Sequence, residues 1–407
     1  MRTVIINRFS PSSVNYEEWL KDIDGEFIMI TKPEHVSGFS EFFIHKAGFN
    51  DFDQNENIYR HIVELHEAKQ IDYIIAAQEF DLLKAAQLRE YLGLQGQSVE
   101  SALAFRDKVF MKNLVKHSIQ VPHFMKINHL YDVLEFEKNN GYPFVIKPID
   151  NAGSMGVHVI HDKAELTEML EYGLETNLEI ETHVAGEMYH IDGLYQNGSL
   201  LLSRPSQYVN GCLAYREGNY VGSVLLDQNH VMYQRLNEAV HAILNVMPTP
   251  DHAISFHAEI FHTFNDELVF CEIACRVGGG LIVEAIEFAT GINILKESIR
   301  SQCDGSICYD PTKNELVGFC VIPPKEGVLD AIDGDLPFEW VVESIIKTDK
   351  VGTKFAKAIA SSSYVAMVLV KGESEEQIKE RLDLVSTWVE EHLSWKSEEE
   401  LVRGASV

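Results

Sequence analysis

Residues 143–160 read PFVIKPIDNAGSMGVHVI. The apolar run Pro143-Phe144-Val145-Ile146 predicts a strand that delivers Lys147 and stops at Pro148. A glycine-bearing loop from Asp150 to Gly156 follows, and Val157 to Ile160 predicts a second strand. Two strands joined by such a loop, with a lysine leaving the first, make a grip for phosphate. Glycines admit the backbone close to a polyphosphate, and successive N–H groups form an anion-binding hollow. Ser154 adds a hydroxyl donor. No Gly-Lys-Ser/Thr closes the loop and a strand follows it, which excludes the P-loop, and the spacing is not that of the dinucleotide fingerprint either. The alternative for the stretch alone is an ordinary hairpin with a glycine-rich turn.

The chain around this stretch has 407 residues, room for two or three domains at roughly 150 residues each. Its net charge of −28 argues against nucleic acid or an anionic membrane as partner. A locally basic pocket on an acidic protein can still take a nucleotide. The opening MRTVIINRFS lacks the apolar centre of a signal peptide, and no run approaches the roughly 18 apolar residues of a membrane span, so a cytoplasmic location is expected. The cysteines, Cys212, Cys271, Cys275, Cys303, Cys308 and Cys320, lack zinc-knuckle spacing and read as tolerated thiols.

Upstream, residues 3–7, 27–31 and 71–76 predict strands, with helices near 17–21, 57–69 and 80–92. That alternation is an open α/β unit with a parallel sheet. A helix over 99–117, interrupted at 106–108, and another over 132–139 lead to the Lys147 strand. Downstream come a helix at 163–171 and a strand at 178–184 with acidic residues at alternate positions. Residues 188–195 predict a strand placing His190 and Asp192 on one face, before the hairpin signal Asn197-Gly198. A helix at 236–244 precedes two strands, 255–264 and 268–274, split by Asn265-Asp266-Glu267. Alternation puts His257, Glu259 and Phe261 on one face, and Phe270, Glu272 and Ala274 on one face of the partner. Helices at 282–290 and 293–303, a β-rich region from about 309 and a final helix at 373–393 complete the chain.

Glu259 and Glu272 carry the second half of the reading. Two carboxylates reaching from paired strands repel one another unless a cation sits between them, and hard oxygen ligands beside a phosphate grip suit Mg²⁺. The alternative is a pair of solvated strand residues. Arg276, at the strand end, is placed to stabilise a transferring phosphoryl group or a carboxylate. His190 and His257 are either functional or hydrogen-bonded structure, and no GxSxG is present.

Taken together, LGLQGQSVESALAFRDKVFMK, PFVIKPIDNAGSMGV, EIETHVAGEMYHIDG and HAEIFHTFNDELVFCEIACRVGGG resemble the ATP-grasp superfamily, over most of the chain and in order. The resemblance is nearest to bacterial L-amino-acid (dipeptide) ligases, and more distant to D-alanine–D-alanine ligase and biotin carboxylase. It implies an α/β (α+β) ATP-grasp fold: an N-terminal α/β domain (1–100), a small subdomain with the phosphate loop (101–180), a central subdomain with the metal site (181–308) and a β-rich C-terminal region (309–407). It implies ATP and Mg²⁺, with Mn²⁺ as an alternative. Lys108 and Lys147 would contact the α- and β-phosphates, and Asn151, Gly153, Ser154 and Gly156 belong to the mobile loop over them. Glu181, Thr182, His183 and Val184 would be the hinge whose backbone reads adenine, with Glu187 on the ribose. Glu259 and Glu272 would hold the metal, and Arg276 the γ-phosphate and acyl phosphate. Many relatives carry Asn two residues after the second glutamate; here Ala274 stands there. The implied activity joins a carboxylate, expected to be an amino acid, to an amine through an acyl phosphate. Alternatives are loading of an acid onto a carrier-protein thiol, an ATP-dependent carboxylase component, or a nucleotide-binding regulatory protein. A homodimer acting on small molecules is the expected assembly.

Overall fold

The structure is a computed structural model and describes residues 1–171 and 173–396. The end of the expected C-terminal region, 397–407, lies outside the described residues. The first sheet holds β1 (Arg2–Ile6), β2 (Glu26–Thr31), β3 (Phe43–Gly48) and β4 (Tyr73–Ala76) in the order β3-β2-β1-β4, all parallel. Val4, Ile5, Ile28, Met29, Ile74 and Ile75 are buried, as continuous apolar runs in a parallel sheet covered on both faces should be. Strand β3 was not anticipated: its sequence, FIHKAG, buries only Phe43 because it lies at the sheet edge. Helices α1 (Tyr16–Leu20), α2 (Asn57–Ala68) and α3 (Leu82–Leu92) complete this domain. The strand order reverses between β1 and β4, and ligands of open α/β sheets bind outside the carboxyl ends of such a pair.

The expected long interrupted helix is two helices, α4 (Val99–Ala104) and α5 (Lys108–Val115). The break has a cause in Asp107, whose Oδ1 accepts from the amides of Val109 at 2.9 Å and Phe110 at 2.8 Å, restarting the helix as an N-cap. Lys108 is thereby the first residue of α5. The second sheet, β5 (Phe124–Ile127), β6 (Phe144–Pro148), β7 (His158–Ile160) and β8 (Leu178–Thr182), is antiparallel in the order β5-β8-β6-β7. Helices α6 (Leu130–Asn140) and α7 (Lys163–Glu171) cover one face, where Phe144, Ile146, Leu178 and Ile180 pack with Val133, Phe136 and Leu166. The two-residue strand period sends Lys147, Glu179 and Glu181 to the opposite face.

The largest sheet takes β9 (Gly186–Gln196), β10 (Ser199–Val209), β11 (Val221–Leu225), β12 (Ile254–Thr263) and β13 (Leu268–Ala274), then β14 (Leu316–Ile322), β16 (Val341–Ile346) and β18 (Ala366–Gly372). Its order is β13-β12-β9-β10-β11-β14-β18-β16, so one sheet runs across the expected division at 308/309. Helix α8 (Val231–Leu244), which begins five residues before the expected 236, packs on one face. Helices α9 (Ile282–Thr290) and α10 (Ile294–Ser301) share the opposite core with the N-terminal domain. A three-stranded sheet, β17-β15-β19, is formed by β15 (Gly327–Ile332), β17 (Lys354–Phe355) and β19 (Leu393–Lys396), and α11 (Glu375–His392) packs against β14 and β18. Among the described residues no helix is long and apolar enough to cross a membrane.

One expectation about β13 is corrected. The register pairs Glu259 with Glu272 but Ile260 with Phe270, so Cys271 is an extra residue, a bulge. Phe270 is therefore turned into the core beside Ile260, off the face of Glu272, while Cys271 and Glu272 both line the cleft.

Candidate active site

A cleft of about 1680 Å³ lies where the first, second and largest sheets meet. One wall is the crevice expected from the first sheet's order, with Phe9, Ser10, Ser12 and Ser13 after β1 and Ala77 to Phe80 after β4. The small sheet contributes Lys147 and Glu181, and the large sheet contributes His257, Glu259 and Glu272. Of the residues singled out from the sequence, Lys108, Asn151, Gly153, Ser154, His183, Val184, Glu187 and Arg276 also line it. Gly156 and Thr182 do not. Gly156 is tucked against Pro148, and Thr182 borders a smaller hollow behind the hinge, its Oγ1 accepting from the His123 amide at 3.1 Å.

The floor is a set of buried opposite charges. The Lys147 ammonium donates to Glu181 Oε1 at 2.5 Å and lies 3.7 Å from Glu179 Oε1. Lys112, one helical turn after Lys108 on α5, is 0% exposed and stands 2.7 Å from both Glu179 Oε1 and Glu181 Oε2. Burial opposes the Glu181 charge, but Lys112 and Lys147 outweigh it and hold its carboxyl down at about 2. Burial wins at Glu179, whose carboxyl is pushed up. Neither Lys112 nor Glu179 was foreseen as part of the site. The signal was the i, i+4 repeat of Lys108 and Lys112, which on an amphipathic helix reads as surface.

Across the floor, Glu259 and Glu272 face each other on β12 and β13. Tyr208 donates to Glu259 Oε1 at 2.8 Å, and Lys108 Nζ lies 3.2 Å from Glu272 Oε2 while donating to the Asn151 carbonyl at 2.7 Å. Burial works against the Glu272 charge, yet Lys108 and Lys147 bring its carboxyl down to about 2. This donor set fits a divalent cation: two hard-oxygen carboxylates in register at the edge of a cleft, with lysine side chains alongside for phosphate. Behind Glu259 runs a buried chain. Asp192 accepts from His190 Nδ1 at 2.6 Å and from His257 Nδ1 at 2.8 Å, His190 Nε2 lies 2.6 Å from Ser223 Oγ, and His257 Nε2 lies 3.6 Å from Glu259 Oε1. Burial disfavours the His257 cation, but Asp192 prevails and raises its pKa to about 10. Gly278 packs directly on this chain, since a Cβ there would fall 2.8 Å from His257 Nδ1 and 3.0 Å from Asp192 Oδ1.

Arg276 enters from the end of β13. Its Nε donates to Glu79 Oε2 at 2.6 Å and its Nη1 to the Val277 carbonyl at 2.7 Å, while Arg106 Nη1 donates to Glu79 Oε1 at 2.7 Å. Burial opposes ionisation of Glu79, but Arg276 and Arg106 hold its pKa below the ordinary value. Neither Glu79 nor Arg106 carried a sequence signal. Over the cleft mouth the glycine loop is tied at both sides: the Ser361 amide donates to the Gly153 carbonyl at 3.0 Å, and Tyr215 Oη to the Ser154 carbonyl at 3.4 Å. Ser154 sits at φ 60, with Gly153 at 65 and Gly156 at 71, so the loop passes through the left-handed region that glycine favours.

This cleft, with its lysines, glycine loop and opposed carboxylates, is that of an ATP-grasp fold, and residues 140–284 match the ATP-grasp domain family. Among characterised proteins, the chain is 25% identical over 342 residues to an L-arginine-specific L-amino acid ligase of Bacillus subtilis, covering 81% of this chain and 82% of that protein. A D-alanine–D-alanine ligase of Bacillus anthracis is 29% identical over 133 residues, 30% of this chain and 43% of that one. Among solved structures, an L-amino acid ligase from Bacillus licheniformis superimposes with a TM-score of 0.78 at 17% identity, over 98% of both chains. The chain thus carries an ATP-grasp domain, and it resembles L-amino acid ligases along nearly its whole length.

Proposed function

We propose that the protein is an ATP-dependent carboxylate–amine ligase that activates an amino acid and joins it to an amine. The observation that carries the reading is the convergence on one cleft of two phosphate-type lysines, a glycine loop, a register-paired carboxylate set and a strand-end arginine. Likeness to amino acid ligases supports the choice of substrates.

In this reading Lys108, Lys147 and the loop from Asn151 to Gly156 bind the phosphates of ATP, and the segment from Glu181 to Val184, with Glu187, receives the nucleoside. Glu259 and Glu272 would hold a divalent cation, which would supply charge neutralisation for those phosphates. Arg276 binds the γ-phosphoryl group as a substrate carboxylate oxygen attacks its phosphorus and ADP leaves. The resulting acyl phosphate is attacked at its carbonyl carbon by an uncharged amine; the C–O bond to phosphate breaks, and the departing phosphate takes the proton that nitrogen gives up as the amide forms. Positioning and fixed charge carry such a reaction, so no nucleophilic side chain is required. The glycine loop, tethered beside the cleft, would keep water from the acyl phosphate. The test is ADP formation from Mg·ATP across the twenty amino acids, singly and in pairs, with mass spectrometry of products. Turnover that needs a pair and yields an amide establishes the reading; turnover indifferent to any carboxylate refutes it.

A further inference from the structure

Arg276 projects from the large sheet, but its guanidinium is held by the N-terminal domain. Glu79 follows β4 at the carboxyl edge of the first sheet, in the crevice where the strand order reverses. It is 7% exposed, and each of its oxygens is committed: Oε2 to Arg276 Nε at 2.6 Å, Oε1 to Arg106 Nη1 at 2.7 Å. With Nε on Glu79 and Nη1 on the Val277 carbonyl, two of the three guanidinium nitrogens are held and the plane of the group is fixed, while Arg276 lines the cleft. Arg106 stands two residues before Lys108, whose ammonium lies against Asn151 and Glu272. One carboxylate therefore ties the N-terminal domain to the entry of α5 and to the strand-end arginine.

A carboxylate engaged through both oxygens by two guanidinium groups is poorly disposed to accept a proton, which separates Glu79 from a general base. Its geometry suits a different task. An arginine fork recognises phosphoryl oxygens only when its plane is correctly turned, and small misplacements of such a group are costly in rate. We infer that Glu79 is a positioning residue for ligation: it aims Arg276 at the phosphoryl group and makes the N-terminal domain a working part of the catalytic site. The inference rests on the ligase reading above.

The test compares Glu79→Gln, Glu79→Asp and Arg106→Gln in the full-length protein. Three readouts are used: the kinetics of carboxylate-dependent ADP formation, thermal stability, and the NMR protection of the Arg276 Nε–H against solvent exchange. Glu79→Gln is expected to lower kcat by roughly 100-fold with KM for ATP within about threefold, and to speed solvent exchange of the Arg276 Nε–H, because a neutral amide oxygen accepts more weakly than a carboxylate. Glu79→Asp, still charged, restores roughly tenfold of that loss. Arg106→Gln leaves the Glu79–Arg276 pair in place, so kcat stays within about threefold of wild type although stability falls. If Glu79 only glues domains together, kcat in Glu79→Gln and Arg106→Gln falls in step with stability, and the inference is overturned. It is overturned equally by an Arg276 Nε–H that stays protected in Glu79→Gln. A wild-type protein that makes no ADP with any acid refutes the ligase reading instead, because the NMR comparison needs no turnover.

Discussion

Lys147 and Arg276 face the same cleft, yet their charges are anchored over very different spans of chain. The carboxylates around Lys147, Glu179 and Glu181, stand two residues apart on β8, and the second lysine, Lys112, comes from the helix that begins with Lys108. All of these lie on the second sheet or on α5, and Lys112 and Glu179 are fully buried. Arg276 depends on Glu79, 197 residues away in another domain, and Glu79 in turn is shared with Arg106. The first arrangement is built by strand and helix periodicity. The second exists only once the domains have docked. The lysine floor should therefore behave as part of a folded core, and the arginine junction as a joint whose failure shows in catalysis before it shows in folding.

Glu272 lies between the two regions, 3.2 Å from Lys108 and four residues before Arg276, so its loss gives the largest expected effect. Glu272→Gln removes an ionised oxygen ligand while keeping the shape of the side chain. Turnover is expected to fall by at least roughly 1000-fold in a variant that still unfolds cooperatively. A variant retaining a tenth of normal activity would remove the carboxylate pair from the mechanism.

The next effect falls on stability and tests the claim that the floor is core. Lys112→Met strands Glu179 and Glu181 in a buried site with Lys147 as their remaining cation, at a cost of about 3–5 kcal/mol in urea unfolding. Lys112→Met/Glu179→Met removes one charge of each sign and should recover most of that loss. Glu79→Gln, at the joint, should cost about 1–3 kcal/mol: Arg276 and Arg106 lose the anion they share, but their side chains, 14% and 11% exposed, are less completely desolvated than Glu179 at 0%. If the single Lys112 variant unfolds like wild type, the contrast between core and joint does not hold.

The same contrast explains what could be read from the sequence. The glycine loop, Lys147 at a strand end, and Glu259 with Glu272 are local patterns, and the structure brings them to one cleft. Alternation failed at one place, Phe270, because a bulge at Cys271 adds a residue that no composition signal marks. Lys112 was passed over since lysines on helices are ordinarily solvated, and only the two glutamates on a non-adjacent strand reveal why this one is buried. Strand β3 was hidden by the polar residues an edge strand tolerates. Glu79 and Arg106 carried no local sign of any kind, because their meaning comes from docking and not from periodicity.

The smallest effect is a pH dependence, and it separates the two regions by sign. Glu79 has an ordinary pKa of 4.5 and, despite burial, is held lower in the fold by Arg276 and Arg106. Its contribution to stability is complete above pH 4.5 and is lost as pH falls through the folded value, where the native carboxylate takes up its proton. The gap in thermal midpoint between wild type and Glu79→Gln should therefore be constant from neutral pH down to about 5 and should narrow below it. Glu179 runs the other way: burial raises its pKa, so its ionisation costs the fold stability as pH rises above 4.5. A Glu179→Gln variant should accordingly lose ground to wild type, or gain less on it, as the solution is acidified. Midpoints measured by scanning calorimetry for both variants from pH 3.5 to 7 would show the two gaps moving apart. Parallel curves would mean that Glu79 and Glu179 feel the same field, and that the joint is electrostatically no different from the core.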